Sequence, residues 1–411
     1  ETGYRLKGNK IFISGGDNEL ADNIVHLVLA KIPGGPEGVK GISLFVVPKY
    51  RLDTDGNPGE RNDVVLAGLI HKLGYRGTTS TALTFGDNDD CHGYLVGEAH
   101  QGLRYMFQMM NEARVGVGFG AAVLGYRGYR FALDYARDRL QGRHPDDADF
   151  SKPQVPIIEH ADVKRLLLTQ KAYAEAAIAM SFYGYRLVDD IETGNEAAAK
   201  DAHLLLDLLT PVLKSWPSEF GVKANDMAIQ VFGGAGYTRE YPVEQVWRDN
   251  RLNPIHEGTT GVQGMDLLGR KVWMANGKGL QLLAQRILAD VEGTTDDRCQ
   301  PFAQALKAML PRVEAATAAA GKLMAEQGPR TALSNANAYL QLMGHTVAAW
   351  MWLRQANAAA ALTAPEDADF AQGKLQAAQY FFHWELPRVE LDAQRLIDAD
   401  NTFINMNSRW F

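Results

Sequence analysis

Two stretches of the 411-residue sequence combine reactive side chains with bare main chain. One is Gln230-Val-Phe-Gly-Gly-Ala-Gly-Tyr-Thr-Arg-Glu-Tyr-Pro-Val-Glu; the other, after Trp247-Arg-Asp-Asn, is Asn253-Pro-Ile-His-Glu-Gly-Thr-Thr-Gly-Val-Gln. In the first, a long apolar run ends in a glycine-rich turn whose amides can meet phosphate oxygens. The same Gly233-Gly-Ala-Gly also reads as a simple C-cap between two helices. In the second, Gly258 gives freedom of approach to Glu257, so the carboxylate can act as a general base while its own N–H polarises a carbonyl. An acid placed at a helix start for its charge alone is the alternative reading.

Other chemistries lack their residues. His144, His160, His203 and His256 are scattered without metal-ligand spacing, and neither a Gly-x-Ser-x-Gly elbow nor a Walker lysine loop occurs. Gly116-Val-Gly-Phe-Gly-Ala has no strand before it and reads as close helix packing rather than a dinucleotide fingerprint.

The elements that must carry these residues follow from periodicity. From 3 to about 100 the period is two: Tyr4/Leu6, Lys10–Ser14, Ile24–Ala30, Ile42–Val47, Val64–Ile70 and Thr81–Phe85, with Arg51–Asn62 as a long hairpin tip. Short strands with turn punctuation predict a small antiparallel barrel or sandwich. Beyond 101 the period is 3.6, with helices expected at about 101–137, 157–191, 197–232, 242–249 and 257–275, a bundle arrangement. The Ala-rich tract 278–398, broken near Gly293, Pro311, Gly328-Pro329 and Pro365, predicts about four more helices. Its apolar surplus, including Trp350, Trp352, Phe381, Phe382 and Trp384, is expected to pack on 157–232. The fold class is therefore α+β, with domains at 1–100, 101–277 and 278–411.

Composition narrows the partners. A net charge of −7, and 11 Lys and Arg against 14 Asp and Glu within 282–411, argue against nucleic acid. Two cysteines, Cys91 and Cys299, form no disulfide framework and fit a reducing compartment. No apolar run is long enough to span a membrane. The chain starts at Glu1 in what reads as the middle of a domain, so the lack of a signal peptide carries no weight.

Taken in order, Lys10-Ile-Phe-Ile-Ser, Lys72-Leu-Gly-Tyr-Arg-Gly, Gly97-Glu-x-x-Gln-Gly, Ala113-Arg, Tyr135-Ala-x-x-Arg, Gln230-x-x-Gly-Gly-x-Gly-Tyr and Ile255-His-Glu-Gly-Thr resemble the acyl-CoA dehydrogenase flavoproteins over 3 to about 275. Pro156-Ile-Ile-Glu-His-Ala-Asp-Val-Lys-Arg, the insertion at 142–155 and Gly373-Lys-Leu-Gln-Ala-Ala-Gln-Tyr-Phe-Phe are similar to the longer bacterial members with an extra C-terminal helical domain, 3-methylmercaptopropionyl-CoA dehydrogenases among them.

The resemblance implies FAD-dependent α,β-dehydrogenation of an acyl-CoA in fatty acid β-oxidation. Glu257 is then the α-proton base, and its N–H and a flavin ribityl hydroxyl are the donors to the thioester carbonyl. Burial beside the acyl tail would raise the Glu257 pKa. Phe12, Ile13 and Ser14 match the Trp-Ile-Thr stretch at the flavin edge, and Arg139 with Gln141 matches an Arg-x-Thr reaching the diphosphate of a neighbouring subunit's FAD. Gln230, Val231, Gly233 and Gly234 match the glycine turn beside that cofactor. Thr259 matches a further FAD contact, and Arg114 an arginine that positions substrate and base. No metal is implied.

Phe12 for Trp, Gly142 for Phe, His256 for Tyr and Gly261 for Gln depart from the family pattern and reshape the pocket. The family's N-terminal helical domain and its Thr-Glu-Pro-x-Ala-Gly-Ser-Asp flavin loop are expected upstream of Glu1, leaving the flavin pocket incomplete in these 411 residues. The implied assembly is a homodimer in the bacterial cytoplasm that passes electrons to electron-transferring flavoprotein. An acyl-CoA oxidase using oxygen and a non-catalytic DNA-associated paralogue are the rivals.

Overall fold

The chain divides into two compact units, 1–112 and 113–411. The computed structural model describes residues 3–146, 149 and 151–411, without the side chains of 108 and 109, so the insertion at 142–155 lies partly outside the described residues.

In the first unit, strands β1 (Gly3–Arg5), β9 (His92–Leu95), β4 (Ile42–Pro48) and β3 (Val25–Lys31) form one antiparallel sheet in that order. A second antiparallel sheet runs β2 (Gly8–Ser14), β8 (Ser80–Phe85), β7 (Val64–Leu69). Alternation decides the inside: Val28, Phe45 and Val47 from one sheet share a core with Val64, Leu83 and Phe85 from the other. The expected tip at Arg51–Asn62 is a hairpin of β5 (Tyr50–Leu52) and β6 (Pro58–Arg61). Strand β9 escaped sequence reading because His92-Gly93 breaks the apolar pattern.

Helix α1 (Gly102–Asp138) continues into the second unit, which adds α2 (Ala161–Thr193), α3 (Glu196–Phe232), α4 (Val243–Asn250) and α5 (Thr260–Gly269). The Gly194-Asn195 link turns α2 into α3, with the Asn195 side chain accepting from the Ala198 amide at 3.0 Å as an N-cap. Gly118 lets α1 approach α3 closely, since a β-carbon there would meet the Leu213 carbonyl oxygen at 1.9 Å.

The later tract holds α6 (Lys278–Glu292), α7 (Gln300–Gln327), the single turn α8 (Pro329–Ala332), α9 (Ala336–Ala360), α10 (Ala368–Tyr380) and α11 (Val389–Ile397). That is more than the four helices expected. The predicted break at Pro311 does not occur: it lies inside α7, as Pro211 and Pro217 lie inside α3. Proline removes one helical hydrogen bond. Buried neighbours such as Leu306, Met309 and Val313 keep α7 docked across that gap.

The apolar surplus does cover α2 and α3. One core cluster joins Tyr173, Leu209 and Trp216 to Trp350, Trp352 and Phe381, and the Trp352 indole N–H donates to the Ala172 carbonyl at 3.0 Å. Trp384 departs from expectation and stays 60% exposed. The helix expected from 257 begins only at Thr260 and ends at Gly269, followed by a 3-10 segment, Lys271–Gly277, with Ala275 and Asn276 in left-handed conformations.

Candidate active site

Glu257 sits in the connection between α4 and α5 rather than in a helix. Its φ is +54°, with Gly258 at +93°. A left-handed glutamate costs roughly 1–3 kcal/mol and persists only where its surroundings over-determine it. Here they do. The Gln263 amide donates from Nε2 to the Glu257 carbonyl at 2.9 Å, and Lys214 Nζ donates to the carbonyls of Asn253 (2.8 Å) and Gly258 (2.7 Å).

Beneath them runs a chain of buried amides. Asn253 Nδ2 donates to Asn250 Oδ1 at 2.8 Å, Asn250 Nδ2 to Asn225 Oδ1 at 2.7 Å, and Asn225 Nδ2 to the Leu124 carbonyl of α1 at 2.9 Å. Buried polar groups of this kind are stable only when satisfied, and this chain is anchored at its far end on a helix. The Glu257 side chain itself is exposed, so a solvent-facing carboxylate stands on a buried polar foundation. Among the described residues nothing accepts the Glu257 main-chain N–H.

Arg114 and Lys214 supply buried positive charge. Arg114 Nη1 lies 3.6 Å from Asp266 Oδ2, while its Nε and Nη1 have no hydrogen-bond acceptor among the described residues. Burial, then the Arg114 charge, push the Lys214 amine down to about 8, against the opposing pull of Glu257. Burial likewise lowers the His256 pKa, with Lys214 adding to the effect.

A second cluster forms where α3 ends. Gly233 caps α3 with φ +60°, and β-carbons built on Gly233 or Gly234 meet nothing within 4 Å, so this corner is open. Tyr135 stacks on Phe232 with ring centroids 4.1 Å apart, which brings the Arg139 segment beside the turn. Leu140 bridges to Pro156, and the Gln141 carbonyl accepts from His160 Nε2 at 2.7 Å. Arg139, Gln141 and Gln230 are exposed; the Val231 side chain is turned into the core, leaving its main chain as what it can offer a ligand. Thr259 is the exposed residue before α5 and belongs to the Glu257 group, as Arg114 does.

In the first unit, β2 bulges against β8 between Lys10 and Ile13, and Phe12 there has φ +61° and is 69% exposed. Ile13 accepts from Thr81 Oγ1 at 2.9 Å, and Ser14, paired with Ser80, is exposed.

Sequence reading missed Lys214 and Asn225, and gave no role to Asn250 and Gln263 within the motifs it quoted. Lys214 had a signal, one of only two charges, with Asp207, in the otherwise apolar run Leu204 to Trp216 of a helix; the amides gave no sign of burial, because buried and solvated asparagines look alike in sequence.

Residues 100–272 match the family model described as acyl-CoA dehydrogenase, C-terminal domain, and residues 283–407 match acetyl-CoA dehydrogenase C-terminal like. The 3-methylmercaptopropionyl-CoA dehydrogenase of Ruegeria pomeroyi is 38% identical over 405 residues, 98% of this chain and 68% of that protein. The chain belongs to the acyl-CoA dehydrogenase family. The broad-specificity linear acyl-CoA dehydrogenase FadE5 of Mycobacterium tuberculosis is 35% identical over 424 residues, 99% of this chain and 69% of that protein.

Among solved structures, Caenorhabditis elegans ACDH-11 in complex with C11-CoA matches with TM-score 0.75 at 22% identity. The Bacillus anthracis enzyme complexed with FAD matches with TM-score 0.74 at 21% identity. They cover 98% and 97% of this chain, whereas the chain covers 64% of each of them. At that identity the likeness speaks for the fold.

Proposed function

We propose that the chain carries the catalytic helices of an FAD-dependent acyl-CoA dehydrogenase that converts an acyl-CoA to its trans-2-enoyl-CoA, with Glu257 as base. The observation that carries this reading is the exposed Glu257 carboxylate, held left-handed with its own N–H unclaimed; Arg114, with buried unsatisfied donors, and Glu257 both act on the charge of Lys214. The residues fit the cofactor: the open Gly233-Gly234 corner with exposed Arg139, Gln141 and Gln230 suits an anionic diphosphate, and exposed Phe12 and Ser14 suit a planar ring edge.

Glu257 takes the α-proton onto its carboxylate. Its N–H donates to the thioester oxygen as charge builds there. Arg114 orients the substrate and the base through its free donors. Thr259 contributes its exposed hydroxyl to the cofactor side. Bound FAD supplies the acceptor for the β-hydride, which balances the two electrons and the second hydrogen lost. A filled acyl pocket would shield the exposed Glu257 carboxylate from water.

The Gly233-Gly234 corner and Arg139 serve the cofactor of a second subunit in a homodimer, a reading supported by the exposure of Leu140 and of Tyr237, 91% exposed, around them. The two curated relatives act, by their names, on 3-methylmercaptopropionyl-CoA and on linear acyl-CoAs. The electron acceptor in this reading is electron-transferring flavoprotein.

The test is anaerobic bleaching of flavin-loaded protein with straight-chain, branched, aromatic and 3-methylthio acyl-CoAs. Glu257→Gln should bind acyl-CoA yet bleach at least ~10²-fold more slowly, since an amide cannot take the proton. Bleaching at the wild-type rate removes Glu257 from the mechanism, and fast reoxidation by air would favour an oxidase.

A further inference from the structure

We propose that Lys214 is the positioning residue of the base: its buried ammonium group joins the two ends of the turn 253–258 and so fixes the left-handed conformation in which Glu257 is presented. The proposal rests on Glu257 being the base.

The geometry makes the assignment. One nitrogen donates to two carbonyls five residues apart, Asn253 at 2.8 Å and Gly258 at 2.7 Å, so the turn closes around a single point. The Lys214 side chain comes from the middle of α3 and is fully buried. A buried lysine is costly unless its donors are satisfied and an opposite charge is near. Two carbonyls accept hydrogen bonds from two of its three N–H groups, and Glu257 and Glu219 attract its charge.

Around this point Gln263 fixes the Glu257 carbonyl, and Asn253 is tied through Asn250 and Asn225 to α1. The amide chain sets where the start of the turn lies, and Lys214 carries that position to Gly258. An apolar side chain of similar length would fill the volume and orphan both carbonyls. The carboxylate would then sample positions away from the α-carbon, and misplacement of about 1 Å is enough to cost ~10²-fold in rate.

The experiment compares wild type, Lys214→Met and Glu257→Gln. Hydrogen exchange of amides 255–262 is measured on protein without substrate, and acyl-CoA affinity and anaerobic bleaching on flavin-loaded protein. For Lys214→Met the expectation is at least ~10-fold faster exchange confined to the turn, with the protection of α2 and α3 retained. Bleaching should slow by ~10–10²-fold while acyl-CoA affinity stays within about threefold, because orientation rather than binding is lost.

If Lys214→Met does not fold, the same comparison is made on Lys214→Gln, whose shorter amide cannot span both carbonyls but keeps a polar group in place. Unchanged exchange and bleaching in a folded variant overturn the proposal, as does a loss of protection spread evenly over the helices. A loosened turn in Lys214→Met together with normal bleaching in Glu257→Gln would keep the clamp and discard Glu257 as the base.

Discussion

The Tyr173 hydroxyl donates to Glu385 Oε2 at 2.7 Å across 212 residues of sequence. Glu385 is fully buried at the end of a π-helical turn, Phe381–Glu385, that follows α10. Tyr380 donates to its other oxygen at 2.7 Å and shares a hydrogen bond with Thr169, while Arg388 stands 3.4 Å away. Burial, reinforced by Glu385, pushes the Tyr173 phenol far up, and burial pushes Tyr380 up to about 12, so both remain protonated donors. The C-terminal helices are thus keyed to α2 at a defined register as well as packed on it.

Tyr173→Phe keeps the ring contacts with Trp216 and Phe220 and removes only this donor. A hydrogen bond to a charged or chargeable buried group is worth about 1.5–3 kcal/mol. The unfolding free energy should fall by that amount, read as a lower denaturant midpoint with an unchanged m-value. A variant as stable as the wild type would show that the pair is not holding α2 to the C-terminal helices.

His345 gives an acid dependence with a definite sign. Burial is the main cause of its pKa falling to about 3, with Lys223 and Arg388 adding to it and a bond to the Gln341 carbonyl opposing. The unfolded chain takes up this proton near 6.5, the folded chain only near 3. Stability from this residue is therefore complete above pH 6.5 and is lost as pH falls toward 3. His345→Gln keeps a side-chain donor for the Gln341 carbonyl, which now accepts from His345 Nδ1 at 3.0 Å. It should flatten the loss of stability between pH 6.5 and 4 in equilibrium unfolding. An unaltered pH profile would mean that other groups govern acid unfolding.

Much of this was readable from spacing alone, and the failures have physical causes. Apolar spacing located β2, β3, β4, β7 and β8, although only β4 and β8 are mostly buried. It could not find β9, where His92 and Gly93 interrupt the pattern. Pro311 misled because local propensity yields to a helix buried on its neighbours. At the proposed site, the sequence singles out Glu257 but says nothing of its backbone. Nothing in Ile255-His-Glu-Gly-Thr announces a positive φ on a glutamate, whose turn is held by hydrogen bonds from Lys214 and Gln263 at distant or later positions.

The open corner at the end of α3 separates folding from cofactor retention. Gly234 has an ordinary φ and nothing within 4 Å of an added β-carbon, so Gly234→Val should leave the unfolding free energy within about 0.5 kcal/mol of wild type. If the corner cradles a diphosphate, the side chain blocks it and the flavin-to-protein absorbance ratio falls. Full flavin content in Gly234→Val would place the diphosphate elsewhere.

The motif Gly116-Val-Gly-Phe-Gly-Ala offers a test that distinguishes packing from ligand binding within one turn of helix. All three glycines lie in α1, yet their surroundings differ. A β-carbon on Gly118 would meet the Leu213 carbonyl oxygen at 1.9 Å, and that backbone belongs to α3 next to Lys214, where it cannot yield without moving the clamp. On Gly120 it would meet nothing within 4 Å. Gly118→Ala should therefore destabilise by about 1–3 kcal/mol or more through overpacking. Gly120→Ala should stabilise by roughly 0.5–1 kcal/mol, because alanine loses less backbone freedom than glycine on entering a helix. Opposite signs from identical substitutions two residues apart are what helix packing requires. Equal effects at both positions, read from denaturant midpoints, would refute the close α1–α3 approach at Gly118.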